Sequence, residues 1–171
     1  ALSNANINNT GVFTLTDDVA TSIIDSNITN IGEIAVTKNN VFTGTTLTNN
    51  HANGILNLQS GAAETQNFDS ITLNADMSLK TDADLAGTLS DVLTSTAFTG
   101  TNKIIVDAVN IITDSPYRHS QTTLTTSDAL KANIQGATTI DVTKATGVTG
   151  DYTVTYTTDG ILHYVKDMDI A

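Results

Sequence analysis

No cysteine occurs in the 171 residues, which excludes a disulfide framework and a thiolate metal site. Tryptophan is absent as well, and the chain has a single proline, Pro116, and a single arginine, Arg118. Lys and Arg total only seven and are scattered, against a formal net charge of −11. That balance argues against binding a phosphate backbone, and the few aromatic residues argue against base stacking, so no nucleic-acid partner is expected. No stretch approaches the apolar length of a membrane span. The opening "ALSNANINN" has neither a basic region nor an apolar targeting core. The expectation is that a signal has been removed or that the chain is an excerpt of a longer one, and the tail "KDMDIA" slightly favours the excerpt.

Glutamate is also scarce, with 2 Glu against 16 Asp. Glu suits helix surfaces whereas Asp suits turns, so the imbalance speaks against helix. The composition is filled instead by 32 Thr and 17 Asn. Thr is β-branched and favours strands, and Asn favours turns and makes poor helix. An all-β domain of many short strands follows.

The segments "NINNTGVFTLTDD" (6–18) and "NITNIGEIAVTKNN" (27–40) nearly repeat each other. Aligning Gly11, Gly32, Gly54 and Ala75 gives spacings of 21, 22 and 21 residues. Two positions after each comes Phe13, Ile34, Leu56 or Met77, and four positions after comes Leu15, Val36, Leu58 or Leu79. Small or polar residues lie between them. This is a period-two strand with one apolar face, written four times. One such unit cannot bury its own face, but stacked units can, so the period implies a β-solenoid of about 21–22 residues per coil. Ile23 and Ile24, Leu47 and Phe68 are expected to supply further walls, with Ile28 matching Ile71. Asn side chains at the turns are expected to hydrogen-bond along the axis as amide ladders. A sandwich is the alternative. It needs tight hairpins, and Asn53-Gly54 is the only Asn-Gly or Asp-Gly pair in residues 1–80.

The solenoid is read over residues 1–150, less regular after 80, with a loop or insertion near 116–135. Leu79, Leu85, Leu89 and Leu93 are expected in the core, and 103–106 and 109–112 as two strands on a corner. "SDALKANIQ" allows one short helix opened by Ser127 or Asp128. Residues 151–171 read as a C-terminal hairpin around Asp159-Gly160, a candidate cap, with Tyr152, Val154 and Tyr156 on one face.

The stretch "DADLAGTLSDVLTSTAFTGTNKIIVDAVNIITDS" (82–115) resembles the passenger regions of autotransporter and filamentous-haemagglutinin-like bacterial surface adhesins. The Asn-rich units at 6–79 look like the same class. The resemblance implies a right-handed parallel β-helix, secretion to the extracellular or outer-membrane surface of a Gram-negative bacterium, and an adhesive or structural role. It carries over no catalytic motif. The partners it implies are host or bacterial surface molecules, glycans among them.

Candidate chemistry is sparse. Asp17-Asp18 and the set Asp82, Asp84 and Asp91 are the local acid clusters. Oxygen-rich turns can hold Ca²⁺, so Asp82, Asp84 and Asp91 are the weak calcium candidates, although the glycine-rich nonapeptide of calcium-binding β-rolls is absent. Asp82 with Asp84 would be the acid pair of a polysaccharide lyase or hydrolase, but the Arg, Lys and aromatic platforms of such sites are missing. His51, His119 and His163 lie far apart in sequence without metal-ligand spacing and read as exposed or turn histidines. The Thr-x-Thr triplets at 14–16 and 46–48 are out of phase with the repeat and would not stack into an ice-binding row. The expected function is therefore non-catalytic, with no cofactor. A self-assembling extracellular filament, associating end to end through open sheet edges, is the alternative alongside the enzyme.

Overall fold

The structure is a computed structural model and describes residues 2–16 and 23–168. Asp17 and Asp18 lie outside the described residues. The elements are β1 (Leu2–Ser3), β2 (Asn6–Asn9), β3 (Val12–Leu15), β4 (Ile23–Ile24), β5 (Asn27–Asn30), β6 (Glu33–Val36), β7 (Asn40–Asn49), β8 (Ile55–Asn57) and β9 (Thr65–Leu73). There follow β10 (Met77–Asp84), β11 (Leu89–Ser90), β12 (Val92–Thr99), β13 (Ile104–Thr113), β14 (His119–Thr123), α1 (Asp128–Lys131), β15 (Ile134–Lys144), β16 (Tyr152–Thr157) and β17 (Ile161–Lys166). The chain winds as a parallel β-solenoid of about 4 turns. One wall runs β15-β13-β10-β8-β6-β3 and a second runs β12-β9-β7-β5-β2. Both are parallel throughout these paths.

Two of the glycines that mark the repeat, Gly32 and Gly54, sit at a corner with no room for a side chain, whereas a Cβ on Gly11 in the first coil would meet nothing within 4 Å. A Cβ on Gly32 would lie 2.2 Å from the Gly11 carbonyl oxygen, and one on Gly54 would lie 1.8 Å from Asn49 Oδ1. Beside that corner runs a buried amide ladder. Asn9 Nδ2 donates to Asn30 Oδ1 (2.8 Å), and Asn30 Nδ2 donates to Asn49 Oδ1 (3.4 Å). The same amides turn back onto the chain: Asn30 Nδ2 donates to the Gly32 carbonyl (2.8 Å) and Asn49 Nδ2 to the His51 carbonyl (2.9 Å). Asn-x-Gly in the first two units and Asn-x-His in the third are thus one device, in which the amide closes the turn and also links it to the next coil.

The first apolar row follows the expected register for three units: Phe13 pairs with Ile34 and Ile34 with Leu56. In the fourth unit the register differs. Leu56 pairs with Leu79, not Met77, and Met77 pairs with Ile104. Ser78 N donates to Gly54 O, so Met77 rather than Ala75 occupies the position after Gly54. A slip of two residues leaves every side chain on its own face, so the apolar pattern alone does not choose between the registers. The coil is accordingly not constant. From Phe13 to Ile34, Leu56, Leu79 and Val106 the advances are 21, 22, 23 and 27 residues, and Ile104 to Ile134 takes 30.

The second wall stacks Ile7, Ile28, Leu47, Ile71 and Phe98. Ile28 and Ile71 do share a row, joined through Leu47. Phe68 belongs elsewhere: it pairs with Phe42, ring on ring at 4.3 Å and 2°. A corner inside β7, where Gly44 has φ of +64°, separates the Phe42 row from the Leu47 row. Leu56, Leu58, Leu79, Leu85 and Leu93 are buried as expected, but Leu89 is 55% exposed because β11 runs antiparallel at the margin of β10. Residues 104–113 form one strand, β13, with Asp107 bulged out of its pairing to β10, and not two strands on a corner.

The region read as a loop or insertion contains β14 and α1. Ser127 occupies the N-cap position, but its hydroxyl accepts Ser95 N (2.9 Å) and makes no cap bond. Residues 151–168 form the expected antiparallel hairpin, β16 and β17, turned at Gly160 with φ of +89°. β14 adds to β17 and completes a three-stranded antiparallel sheet in the order β14-β17-β16. Tyr152, Val154, Leu162 and Tyr164 on its inner face join the solenoid core, and Tyr156 packs against it. No helix among the described residues is long and apolar enough to cross a membrane.

Candidate functional site

Two places concentrate polar chemistry. The first holds the predicted acids. β10 carries Asp82 and Asp84, and Asp91 lies between β11 and β12. Asp82 and Asp91 are both fully buried and adjacent, because Asp82 N donates to Asp91 Oδ2 (2.6 Å) and Asp91 N donates to Asp82 O (3.0 Å). Asp91 Oδ1 accepts Glu64 N (2.8 Å). Asp82 Oδ2 accepts Ser60 N (2.6 Å) and Gly61 N (2.8 Å), and its Oδ1 accepts Asn110 Nδ2 (3.3 Å). These two carboxyl groups hold the 60–64 turn and the 82–91 turn onto the solenoid. Asp84 points to other partners: its Oδ1 accepts Thr113 Oγ1 (2.6 Å) and Gly87 N (3.2 Å). The calcium candidates therefore do not converge, and no group of three or more His, Asp or Glu suited to a metal occurs among the described residues.

Burial pushes the Asp91 carboxyl up to about 8, against the lowering effect of the Asp82 and Glu64 amides and with further upward pressure from the Asp82 and Glu64 charges. Asp114 behaves oppositely. It accepts Thr149 N (2.8 Å), Gly150 N (2.9 Å) and the Tyr152 hydroxyl (2.8 Å). These bonds, the Thr149 amide foremost, hold it down at about 2. Asp114 thereby ties the end of β13 to the strand that opens the hairpin.

The second place is a cavity of about 370 Å³ between the β14–β17 pair, the 115–117 turn and the 85–88 turn. Register places Gln121 opposite His163 and His119 opposite Val165, so the two imidazoles lie diagonally on one face of the sheet. They are 44 residues apart in sequence and meet because β14 pairs with β17. His163 Nε2 lies 3.1 Å from Thr157 Oγ1, which fixes the ring. Tyr117, 72% exposed, stands at the rim beside Pro116. Below, Tyr164 is buried with its hydroxyl 2.8 Å from Thr122 Oγ1. Sequence reasoning did not reach this site. Its one signal was the break in pattern at "PYRH", which holds the only proline and the only arginine.

Comparison with protein-family models, curated proteins and solved structures finds no match to this chain.

Proposed function

We propose that the chain is a non-catalytic, secreted segment of a bacterial surface protein that serves as an adhesive or structural β-solenoid scaffold. The observation that carries this reading is the use made of the buried acids. Asp82 and Asp91 spend both carboxylate oxygens on backbone amides and on Asn110, which suits a rigid support and not proton transfer to a substrate. The resemblance of residues 82–115 to adhesin passengers agrees with placement at the extracellular or outer-membrane surface of a Gram-negative bacterium. Surface molecules, glycans among them, are the proposed partners.

The test has two parts. Beads coated with the protein should be retained on host or bacterial cells above uncoated beads. Plant, algal and bacterial polysaccharides incubated with it should keep their length. Shortening of any of them by the wild type and not by an Asp82→Asn, Asp84→Asn variant would establish the carbohydrate-active enzyme instead.

A second reading, end-to-end self-association, is favoured by the state of the first coil. Among the described residues, β2 and β3 each pair on one edge only, and Val12 is 68% exposed. At the other end, β12 has its outer edge occupied: Leu93 N donates to Leu124 O and Ser95 N to Ser127 Oγ. Association would therefore run through the N-terminal edge.

A further inference from the structure

We infer that the cavity between β14, β17 and the 85–88 turn binds a short neutral saccharide. The inference deepens the adhesive reading and rests on it for its biological sense, but its chemistry stands on the cavity. The lining contains no Asp, Glu, Lys or Arg. In a chain of net charge −11 with 18 acidic residues, a concave surface free of them is a selective feature. An anionic ligand would need a cation from the wall and would meet the overall negative charge. An amine would need a carboxylate, and a divalent ion would need oxygen ligands of the kind that do not cluster here among the described residues.

What the wall does offer matches a sugar. Tyr117 and Pro116 present flat apolar surface, and the almost fully buried Leu85 adds a small apolar part of the lining from the turn. The apolar C–H face of a sugar ring packs on such surface. His119, His163 and Gln121 supply groups that both donate and accept hydrogen bonds, as sugar hydroxyls do. The Thr157 hydroxyl engages His163 Nε2, leaving Nδ1 without a protein partner among the described residues. A volume of about 370 Å³ lies at the small end of the range for ligand sites and suits a short saccharide, not a long chain. The site stands on paired strands packed against the core, so its geometry is set before the ligand arrives.

The experiment is an amide-correlation NMR titration of the wild-type chain with methyl mannoside, methyl galactoside, N-acetylglucosamine and lactose, with inorganic phosphate and sialic acid as anionic controls. At least one neutral sugar should shift resonances of residues 85–88, 115–121 and 163–165. Tyr117→Ala and Gln121→Ala should each weaken that binding by about tenfold, a loss of the size expected for one stacking or hydrogen-bonding partner. Tyr117 is too exposed for its removal to unfold the chain, and an unchanged spectrum outside the cavity would verify this. Silence from all four neutral sugars, or shifts elsewhere on the molecule, would overturn the inference. So would an anionic control that binds the cavity as well as any sugar. Bead retention separates this from the broader reading. Wild-type beads held on cells with no saccharide response would remove the site and leave the adhesin. Saccharide binding without bead retention would keep the site and remove the adhesin.

Discussion

Asp91 should make this fold lose stability as the pH rises through neutrality. Its side chain is fully buried, and its surroundings are specific. The Asp82 and Glu64 amides donate to its two oxygens, and the Asp82 and Glu64 carboxylates and the Tyr164 phenol complete the titratable groups that face it. Burial dominates and raises the folded value from 3.8 to about 8. An unfolded chain releases this proton near 4, so between roughly pH 4 and pH 8 the folded state binds one more proton than the unfolded state. Stability from Asp91 is full below the lower value and is lost progressively up to the higher one, at about 1.4 kcal/mol per pH unit for one proton. The total is several kcal/mol, a large part of the stability of an ordinary domain. Asp114, held down at about 2, has the opposite sign: its contribution is present above about 4 and is lost as the pH falls to 2. Urea unfolding across the neutral range should therefore give a midpoint that falls with rising pH. In Asp91→Asn the slope should flatten. The amide cannot accept at both positions, so this variant should be less stable than wild type by about 1–3 kcal/mol at mildly acidic pH. The gap should narrow or reverse in mild alkali. A wild-type midpoint that is flat from acid to mild alkali, or an Asp91→Asn slope equal to that of wild type, would refute the reasoning.

Leu56→Ala removes a fully buried side chain between Ile34 and Leu79 and should cost about 2–5 kcal/mol in denaturant unfolding; a loss of less than about 0.5 would mean the row is not core. Gly54→Ala should cost more than an ordinary surface Gly→Ala, because the new methyl would collide with Asn49 Oδ1 and break the amide ladder; Gly61→Ala, with nothing within 4 Å but φ of +86°, is the control for backbone strain alone. Val12→Lys should abolish any self-association seen by light scattering while leaving the unfolding midpoint within about 0.5 kcal/mol of wild type. A wild-type monomer at all concentrations would remove the end-to-end reading.

The coils were legible where one device was repeated. Asn9 and Asn30 precede Gly11 and Gly32 by two residues and Asn49 precedes Gly54 by five, and at Gly32 and Gly54 the combination has a steric reason as well as an apolar period. The fourth register was not legible, because Leu73 replaces Asn in the ladder and Met77 replaces Gly at the corner. With both markers gone, only the period of two remained, and it is blind to a slip of two. Leu89 misled for a related reason. An apolar residue beside a turn reads as core, yet β11 lies at the sheet margin. The cavity was hidden because its polar members come from three separate segments. His119 and His163 are joined only by the β14–β17 pairing, and that pairing connects a region read as a loop to the hairpin.

The lengthening of the coils bears on where function can lie. The early coils have short turns closed by the Asn amides, and such turns leave little chain to build a site. From Met77 onward the coils are longer, with the 85–88 turn in the 27-residue coil from Met77 to Ile104 and the β14 and α1 segments in the 30-residue coil from Ile104 to Ile134. These insertions need anchors that the amide ladder no longer provides. Asp82, Asp91 and Asp114 take over, each binding two or more backbone amides or hydroxyls from neighbouring turns. The acids that looked like candidate ligands in sequence thus act as replacements for asparagine where the turns grow. The cavity sits where two of the added segments meet, with the 85–88 turn on one side and the 115–121 segment on the other. A regular solenoid supplies the rigid support, and the departures from regularity supply the concave surface. Removing the 85–88 turn should therefore leave the first coils folded and open the cavity, whereas breaking the Asn30 rung should weaken the first coils and leave the cavity intact.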